Sequence, residues 1–489
     1  MSEEVKVRIG LEIHVQITSL KTKLFCSCPS DYRGKPPNTN VCPVCLGLPG
    51  ALPVVNKQAI REALKVALAL NSQVSKLLVF TRKHYFYPDL PKNYQISQYD
   101  GIGSLPIAKG GFVRIESDSS AKVVRIRRIN IEEDPGRIVY PTGSMVTSPY
   151  TLIDYNRSGI ALLEIVTEPD IESPREARMF IDKLASILEH LGVTNPELEG
   201  AIRVDANVSI EGAERVEIKN IGSPKEVEKA LLYEIARQAA IIKSRGKVTR
   251  ETRHWDKTRG ITVSSRAKEL EEDYRYFPDP DLPPIPITEE LIEEVRRALP
   301  ELPDDRISRF VKEYKLSKYL ARVIVIRSKA LADAFENIVR KCDNADTIAS
   351  ILVNEFLRWV DELDLTIEEG LRRLTADRVC KLVRYLKEKK LSSKLLKDYI
   401  KRIISENIDP DDLITKGYTS IMDLEYLSKI VEEVFKENPK AVEDAKINPK
   451  AINYLVGQVM KKTKGRADPQ ITYELITRRL RKNDPQYPK

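Results

Sequence analysis

The chain has 489 residues, a net charge of +8 and 31% charged side chains of both signs, which excludes a one-signed disordered polyelectrolyte. Its length exceeds one ordinary hydrophobic core and predicts several domains. No apolar run approaches the roughly 18 residues of a membrane helix, and no secretion-signal pattern opens the chain. Six cysteines are too few for a disulfide scaffold. These features predict a soluble, cytoplasmic protein.

Period-two alternation of apolar and polar residues dominates the first 290 residues. Residues 5–17 alternate in this way, which predicts a half-buried strand, and similar runs occur at 122–131, 162–166, 202–210 and 215–221. A helix is predicted at 57–70, and a second one begins after the N-cap Ser173 and ends at Gly192. This part is predicted to be α+β with a mostly antiparallel sheet.

Five prolines between residues 278 and 286 end the strand-rich part. From residue 289 to about 408 the apolar spacing is helical. A last all-helical unit starts near Asp411 and contains an amphipathic stretch at 451–464 and a final helix that begins at Asp468. The sequence therefore predicts three domains: an α+β domain at 1–290, a helical domain at 291–410 and a small helical tail at 411–489.

Four of the six cysteines lie within 20 residues of one another: Cys26, Cys28, Cys42 and Cys45. Two thiol pairs that bracket a loop are typical of a four-cysteine structural zinc site. Buried reduced cysteines or a redox pair are the alternatives. The other two cysteines each occur alone in a helical pattern, and both are predicted to be small core residues: Cys342 and Cys380.

Several predicted strands carry acidic or polar groups opposite their apolar residues. Glu12 and His14 lie side by side on the first strand, and comparable candidates follow along the chain: Glu133, Glu164, Asp205, Asn207, Glu217 and Lys219. Clustered carboxylates repel one another unless a cation compensates, and oxygen ligands with one imidazole suit Mg²⁺ or Mn²⁺. Ordinary surface ion pairs are the alternative, because the pattern does not establish that these strands are neighbours.

Two segments, 82–95 and 273–278, combine aromatic with cationic and amide side chains. Such segments suit base stacking and phosphate contacts, although a packed loop between strands has the same composition. The candidates for binding ATP here are Lys83, Tyr87, Lys92, Tyr94 and Arg275. Neither a GxxxxGK[ST] loop nor a GxGxxG motif after a strand occurs, which excludes those nucleotide sites as motifs. An amidase-like nucleophile motif is also absent, so any ammonia would come from another chain.

Residues 451–489 contain nine Lys or Arg and three Asp or Glu, a net charge of +6. A local surplus of this kind is typical of a surface that binds a polyanion. The alternative is a solvated helix face in a heat-adapted protein rich in Lys and Arg.

Segments from one end of the chain to the other resemble the GatB/GatE family, whose members are components of tRNA-dependent amidotransferases. The matching segments are IGLEIHV (9–15), LPGALPVVN (48–56), YFYPD (85–89), YQISQ (94–98), IEED (131–134), DYNR (154–157), DAN (205–207), DYRYFP (273–278) and LVGQ (455–458). The length leaves no room for the large insertion of GatE, so the resemblance is to GatB of the GatCAB complex.

This resemblance implies an ATP-dependent carbon–nitrogen ligase. The chain would phosphorylate the side-chain carboxylate of Asp-tRNA(Asn) or Glu-tRNA(Gln) and amidate it with ammonia that a GatA-like amidase makes from glutamine. A GatC-like small subunit would complete a heterotrimer, and a non-discriminating aminoacyl-tRNA synthetase is a further candidate partner. The rival hypothesis is a tRNA-binding scaffold whose acidic cluster is structural, with the chemistry on a partner.

The family motifs also imply roles for individual residues. Four of them would bind Mg²⁺: Glu12, His14, Glu133 and Glu164. Four more would line the same cavity: Asp205, Asn207, Glu217 and Lys219. The four N-terminal cysteines match the zinc-binding version of the family. The tail resembles a YqeY-like domain that binds tRNA, with candidate phosphate contacts at Lys461, Lys462, Lys464 and Arg466.

Overall fold

The computed structural model describes residues 6–101, 103–116, 121–143, 148–264, 271–415, 424–463 and 466–483. The chain divides into two compact units, Met1–Asp305 and Arg306–Lys489. Among the described residues, no helix combines the length and the apolar character that a membrane span requires.

The first unit contains the strands and four helices in its described part. The strands are β1 Val7–Gln16, β2 Gln73–Val74, β3 Leu77–Leu78, β4 Thr81–His84, β5 Tyr94–Ser97, β6 Ala108–Lys109, β7 Phe112–Glu116, β8 Ala121–Glu133, β9 Arg137–Val139, β10 Leu152–Asp154, β11 Ala161–Thr167, β12 Ile202–Ile210, β13 Val216–Ile221, β14 Glu251–Asp256, β15 Ile261–Ser264, β16 Phe277–Pro278 and β17 Ile285–Pro286. The helices are α1 Lys57–Ala69, α2 Pro174–His190, α3 Pro224–Lys243 and α4 Glu289–Arg297.

One large sheet dominates the described part of this unit. Its strand order is β15-β14-β13-β12-β1-β11-β8-β6-β2, and β7 also pairs with β8. Within this sheet the β13–β14 pair is parallel, and the other pairs are antiparallel. The apolar residues of the central strand β1, such as Ile9, Leu11 and Ile13, are fully buried in a core shared with α1, α2 and α3. The predicted α+β class with a mostly antiparallel sheet is confirmed.

The helices of the first unit begin where the sequence predicts. The Asn56 side chain accepts a hydrogen bond from the Gln58 backbone N–H at the start of α1. The Ser173 hydroxyl accepts one from the Glu176 N–H at the start of α2, where Pro174 supplies a preset φ angle. These caps satisfy backbone donors that have no partner within the helix.

The helices that follow are α5 Pro303–Glu313, α6 Lys318–Arg327, α7 Lys329–Lys341, α8 Ala345–Ser350, α9 Leu357–Glu362, α10 Ile367–Arg373, α11 Ala376–Lys387, α12 Ser393–Glu406, α13 Pro410–Thr415, α14 Leu424–Glu437, α15 Pro439–Ile447, α16 Ile452–Lys462 and α17 Pro469–Asn483. A π-helical segment, Ile351–Phe356, joins α8 to α9. The second unit has one apolar cluster between residues 307 and 413 and another between 427 and 480. The division into three domains stays a prediction.

Cys342, at the C-terminal end of α7, forms a disulfide bond with Cys380 in α11. Their Cα atoms are 5.7 Å apart, within the usual range for a disulfide. The prediction that each is an isolated core residue is therefore wrong. The packing of α7 against α11 brings together two positions that the sequence separates by 38 residues, and sequence periodicity does not report such a pairing.

Glu336 of α7 is buried between two arginines of α5. Arg306 donates to its Oε2 at 2.7 Å and Arg309 to its Oε1 at 2.5 Å. Burial alone would raise the pKa of Glu336, but the two arginines lower it below its usual value. The carboxylate therefore stabilises the fold at pH values above its ordinary pKa, and this contribution is lost as the pH falls through the lowered native pKa.

We expect Glu336→Gln to destabilise the helical unit at neutral pH by roughly 3 kcal/mol, because a buried pair is broken. The difference from the wild type should shrink in acid, where the native carboxylate becomes protonated. Trp359 fluorescence in a Trp255→Phe background reports unfolding of this unit. The exposed pair of Arg358 and Glu362 provides the control, since Glu362→Gln should change little. Equal losses from the two substitutions would contradict the prediction.

Candidate functional site

Neighbouring strands of the large sheet present polar side chains on the face opposite the apolar core. The register of β1 sets Glu12 opposite Asp205, and it sets His14 opposite both Glu164 and Arg203. Cross-strand partners point to the same face of a sheet, so these side chains converge. We call this surface the acidic face, and it comprises Glu12, His14, Asn130, Glu132, Glu164, Asp205, Asn207, Glu217 and Lys219.

Three groups of the acidic face are close enough to share one cation. Carboxylate oxygens of Glu12 and Asp205 and a ring nitrogen of His14 lie within 4.8 Å of one another, and His14 Nε2 is 3.8 Å from Glu12 Oε1. Two residues along β12, the buried side-chain oxygen of Asn207 has no hydrogen-bond partner among the described residues. This donor set fits a hard divalent cation such as Mg²⁺ or Mn²⁺.

Burial and crowding oppose the charged forms of these three groups. Burial raises the pKa of Glu12, and the nearby Glu164 carboxylate raises it further. Burial also raises the pKa of Asp205 and lowers the pKa of His14. A bound cation would reverse this balance for the carboxylates, which is the electrostatic reason to regard the group as a cation site.

Two lysines supply fixed positive charge beside this group. Lys219 Nζ is 3.6 Å from Asp205 Oδ2 and 3.8 Å from Glu217 Oε1. Burial works to lower the pKa of Lys219, but these carboxylates raise it above its usual value. Burial likewise opposes the charge of Lys83, whose pKa is nevertheless raised well above its ordinary value by Tyr276 and Glu132. Both lysines are therefore cationic at neutral pH.

Of two consecutive glutamates on β8, only Glu132 belongs to the acidic face. Glu133 points to the other face, where it pairs with Lys92 at 2.6 Å and accepts the Ile96 backbone N–H at 2.9 Å. Glu132 instead accepts hydrogen bonds from Ser97 and Gln95. The structure thus does not bring the predicted ligand Glu133 to Glu12, and the sequence-based prediction missed Glu132. Strand alternation after Ile129 and Ile131 carries the signal that identifies it.

The environment of Glu132 raises its pKa to about 7. Burial is the main cause, and the negative charge of Glu164 adds to it. Glu164 lies on the acidic face but outside the three-residue group. Its carboxylate accepts a hydrogen bond from Asn130 at 2.6 Å and lies 3.6 Å from the Arg128 guanidinium. Protein partners therefore already satisfy part of Glu164.

The two predicted aromatic segments meet in a small sheet in which β4 pairs with both β5 and β16. Lys83 Nζ lies 4.8 Å from the centre of the Tyr274 ring, and the rings of Tyr99 and Tyr276 stack with their centres 4.4 Å apart. Together with the charge of Lys83 near Glu12 and Glu132, this makes one wall beside the acidic face.

The other ATP-binding candidates are distributed around this wall. Tyr94 packs against the Arg82 guanidinium at 4.4 Å, whereas Lys92 is engaged by Glu133 on the opposite face of the large sheet. Arg275 lies over the Phe86 ring at 5.6 Å. Tyr87 is 44% exposed and contacts Tyr85 edge to face. Of the five candidates, Lys83 has the most direct electrostatic link to the acidic face.

The four N-terminal cysteines converge, with their sulfur atoms all within 4.8 Å of one another. A hydrogen bond from the Cys26 thiol is the main cause that lowers the pKa of Cys45 to about 4. Burial raises the pKa of Cys28 to about 11. The buried Lys23 ammonium lies 3.6 Å from Cys45 Sγ. Four converging sulfur atoms fit a closed, structural Zn²⁺ site.

The basic candidates of the tail differ in their surroundings. Lys461 is exposed, and the described part of the chain provides no ion pair for it. The neighbouring Lys462 pairs with Glu433 at 2.9 Å and with Glu437 at 2.7 Å. Arg466 is partly buried and its charge acts on the Tyr399 hydroxyl. Lys464 lies outside the described residues.

Comparison with known proteins gives two family matches. The GatB/GatE catalytic domain matches residues 7–293, and the GatB domain matches residues 333–480. The GatB component of the aspartyl/glutamyl-tRNA(Asn/Gln) amidotransferase of Sulfurisphaera tokodaii is 58% identical over 475 residues, which are 97% of this chain and 99% of that protein.

Proteins of the same name from other organisms are also similar along nearly their whole length. The protein of Saccharolobus solfataricus is 57% identical over 475 residues, with 97% of this chain and 99% of that protein covered. The protein of Carboxydothermus hydrogenoformans is 44% identical over 488 residues, with coverages of 98% and 99%. On these matches, and with the acidic face formed by the motifs that carry the resemblance, the chain belongs to the GatB/GatE family.

Proposed function

We propose that this chain activates the side-chain carboxylate of Asp-tRNA(Asn), Glu-tRNA(Gln) or both with ATP and then amidates it. As a member of its family, the chain has a tRNA-dependent amidotransferase role. The observation that carries the finer proposal is the group of Glu12, His14 and Asp205 with Lys219 beside it. Activation of a carboxylate by ATP needs a divalent cation and fixed positive charge near the phosphates.

In the first step, an oxygen of the side-chain carboxylate attacks the γ-phosphorus of ATP, which gives an acyl phosphate and ADP. Glu12, His14 and Asp205 would hold Mg²⁺, which neutralises phosphate charge when it is bound. Lys219 and Lys83 would contact the phosphate oxygens. In the second step, ammonia attacks the acyl carbon and inorganic phosphate leaves, so that the carboxylate has become an amide.

The attacking ammonia must lose a proton as the carbon–nitrogen bond forms. Glu132 has a pKa of about 7 because burial and Glu164 raise it. Near neutral pH such a carboxyl group is partly ionised, which suits a general base. Glu132 lies on the acidic face two strands away from Glu12, and we propose that it accepts this proton.

The sequence contains no amidase nucleophile motif, so we propose that a GatA-like amidase partner makes the ammonia from glutamine. A GatC-like small subunit would complete the heterotrimer, and a non-discriminating synthetase would supply the mischarged tRNA. Because charged tRNA is used in the cytoplasm, we propose that location. The four N-terminal cysteines would hold a structural Zn²⁺ that takes no part in the reaction, since four thiolates leave no open coordination position.

We expect Glu12→Gln to reduce both ADP formation and tRNA amidation by more than about 100-fold, since even outer-shell changes at metal sites cost about 10–100-fold. The assay uses the assembled complex with ATP, Mg²⁺ and ammonium chloride on each mischarged tRNA separately, so that glutaminase activity is not required. Binding of tRNA should be unchanged. Glu211→Gln, at an exposed turn, is the control. Full activity of Glu12→Gln would favour the scaffold hypothesis.

For the cysteine cluster, we expect the wild type to contain one zinc ion per chain and Cys42→Ser with Cys45→Ser to contain none, because two thiolate ligands are lost. The thermal unfolding temperature of the first unit, followed by Trp255 fluorescence, should fall. Cys342→Ser is the matched control, since it removes a cysteine outside the cluster and should leave the zinc content unchanged. A wild-type protein without zinc, after expression with zinc supplied, would refute the assignment.

For the tail, we expect Lys461→Ala to weaken tRNA binding and to reduce the slope of log affinity against log salt concentration by about 0.7–0.9, the value of one phosphate contact. Lys462→Ala should change the slope less, because Glu433 and Glu437 already balance its charge. Fluorescence anisotropy with labelled tRNA over a range of salt concentrations measures both slopes. An unchanged slope for Lys461→Ala would remove this residue from the interface.

A further inference from the structure

The strand β14 extends the acidic face by one strand beyond the residues that the sequence identifies. It pairs with β13 in parallel, so that Thr252 lies opposite Glu217 and His254 lies opposite Lys219. Paired residues on neighbouring strands share a face, which puts Thr252 beside a carboxylate of the site. The alternation of β14 alone does not reveal this, because its neighbour is distant in sequence.

Thr252 is connected to the cation group by a chain of short contacts. Its hydroxyl donates a hydrogen bond to Glu217 Oε2 at 3.0 Å, and both residues are buried, with exposed fractions of 7% and 5%. The other oxygen of Glu217 lies 3.8 Å from Lys219 Nζ. Lys219 in turn lies 3.6 Å from Asp205.

The hydroxyl has a specific consequence for the carboxylate. A buried oxygen that loses its donor keeps its desolvation cost without a compensating hydrogen bond, so the carboxylate turns towards another donor. Glu217 would then no longer present Oε1 to Lys219. We propose that Thr252 is a positioning residue, whose hydroxyl fixes the orientation of Glu217 and thereby holds Lys219 beside Asp205. This inference rests on the proposed function, in which Lys219 contacts the transferred phosphoryl group.

Thr262 on β15 provides a matched control in the same sheet. Its hydroxyl also donates to a buried carboxylate, Glu234 Oε2, at 2.8 Å, and Thr262 is likewise buried. Glu234 has partners in Arg237 and Gln238 and does not contact the cation group. Thr252→Val and Thr262→Val therefore remove equivalent hydroxyls, but only the first one is connected to Lys219.

The test measures steady-state kinetics of the assembled complex with ammonium chloride, ATP and mischarged tRNA. We expect Thr252→Val to lower kcat by about 10–100-fold, the usual effect of losing a group that orients a site residue, with an unchanged KM for tRNA. Thr252→Ser should restore kcat because it restores the donor. Thr262→Val should lower the unfolding temperature and leave kcat unchanged.

A double-substitution comparison separates positioning from stability. If Thr252 acts through Glu217, Thr252→Val should add no further loss of kcat in a Glu217→Gln background. Wild-type kcat in Thr252→Val, equal losses in the two valine variants, no rescue by serine or additive losses in the double variant would each overturn the inference. If Thr252→Val does not fold, the Thr252→Ser and Glu217→Gln variants still decide it by kcat. A wild-type complex that forms no product would instead overturn the proposed function.

Discussion

The repulsion between buried carboxylates on one face of the large sheet is the constraint on which the site depends. Glu12 and Asp205 face each other across the central strand pair, and Glu164 acts on Glu12 from the other side. Such an arrangement is costly unless cations oppose it. Lys219 supplies one fixed charge, and the remaining donor groups fit a divalent cation. The sheet thus maintains an unfavourable arrangement of charge that ligands of the proposed reaction would relieve.

The opposite face of the same strands makes this arrangement possible. Ile9, Leu11 and Ile13 are fully buried against helices, and the burial of each such side chain contributes about 1.5–3 kcal/mol. Period-two geometry links the two faces, because a register shift of one residue would exchange them. The apolar core therefore fixes which side chains of β1 reach the site, and it offsets the cost of crowding them there.

Strand alternation allowed the sequence to predict much of the fold and of the site, including Glu12, His14 and Asp205. It also contained the information to prefer Glu132 over Glu133, since Ile129 and Ile131 define the apolar face of β8. What it could not predict are contacts that depend on pairing between distant segments. The parallel pairing that brings Thr252 to Glu217 and the packing that joins Cys342 to Cys380 have no local signal, because each depends on how separate elements pack.

The tail demonstrates the same dependence for charge. Counted along the sequence, its basic residues form an undivided surplus, but the fold gives them different surroundings. The acidic residues of α14 pair with Lys462 and with Arg479, so these two cations contribute to packing of the tail as well as to its net charge. Lys461, one residue earlier, is exposed. Since electrostatic attraction to a polyanion depends on charge that is not already balanced nearby, the binding surface must be narrower than the sequence count indicates, and its position follows from α14 as much as from the basic helices.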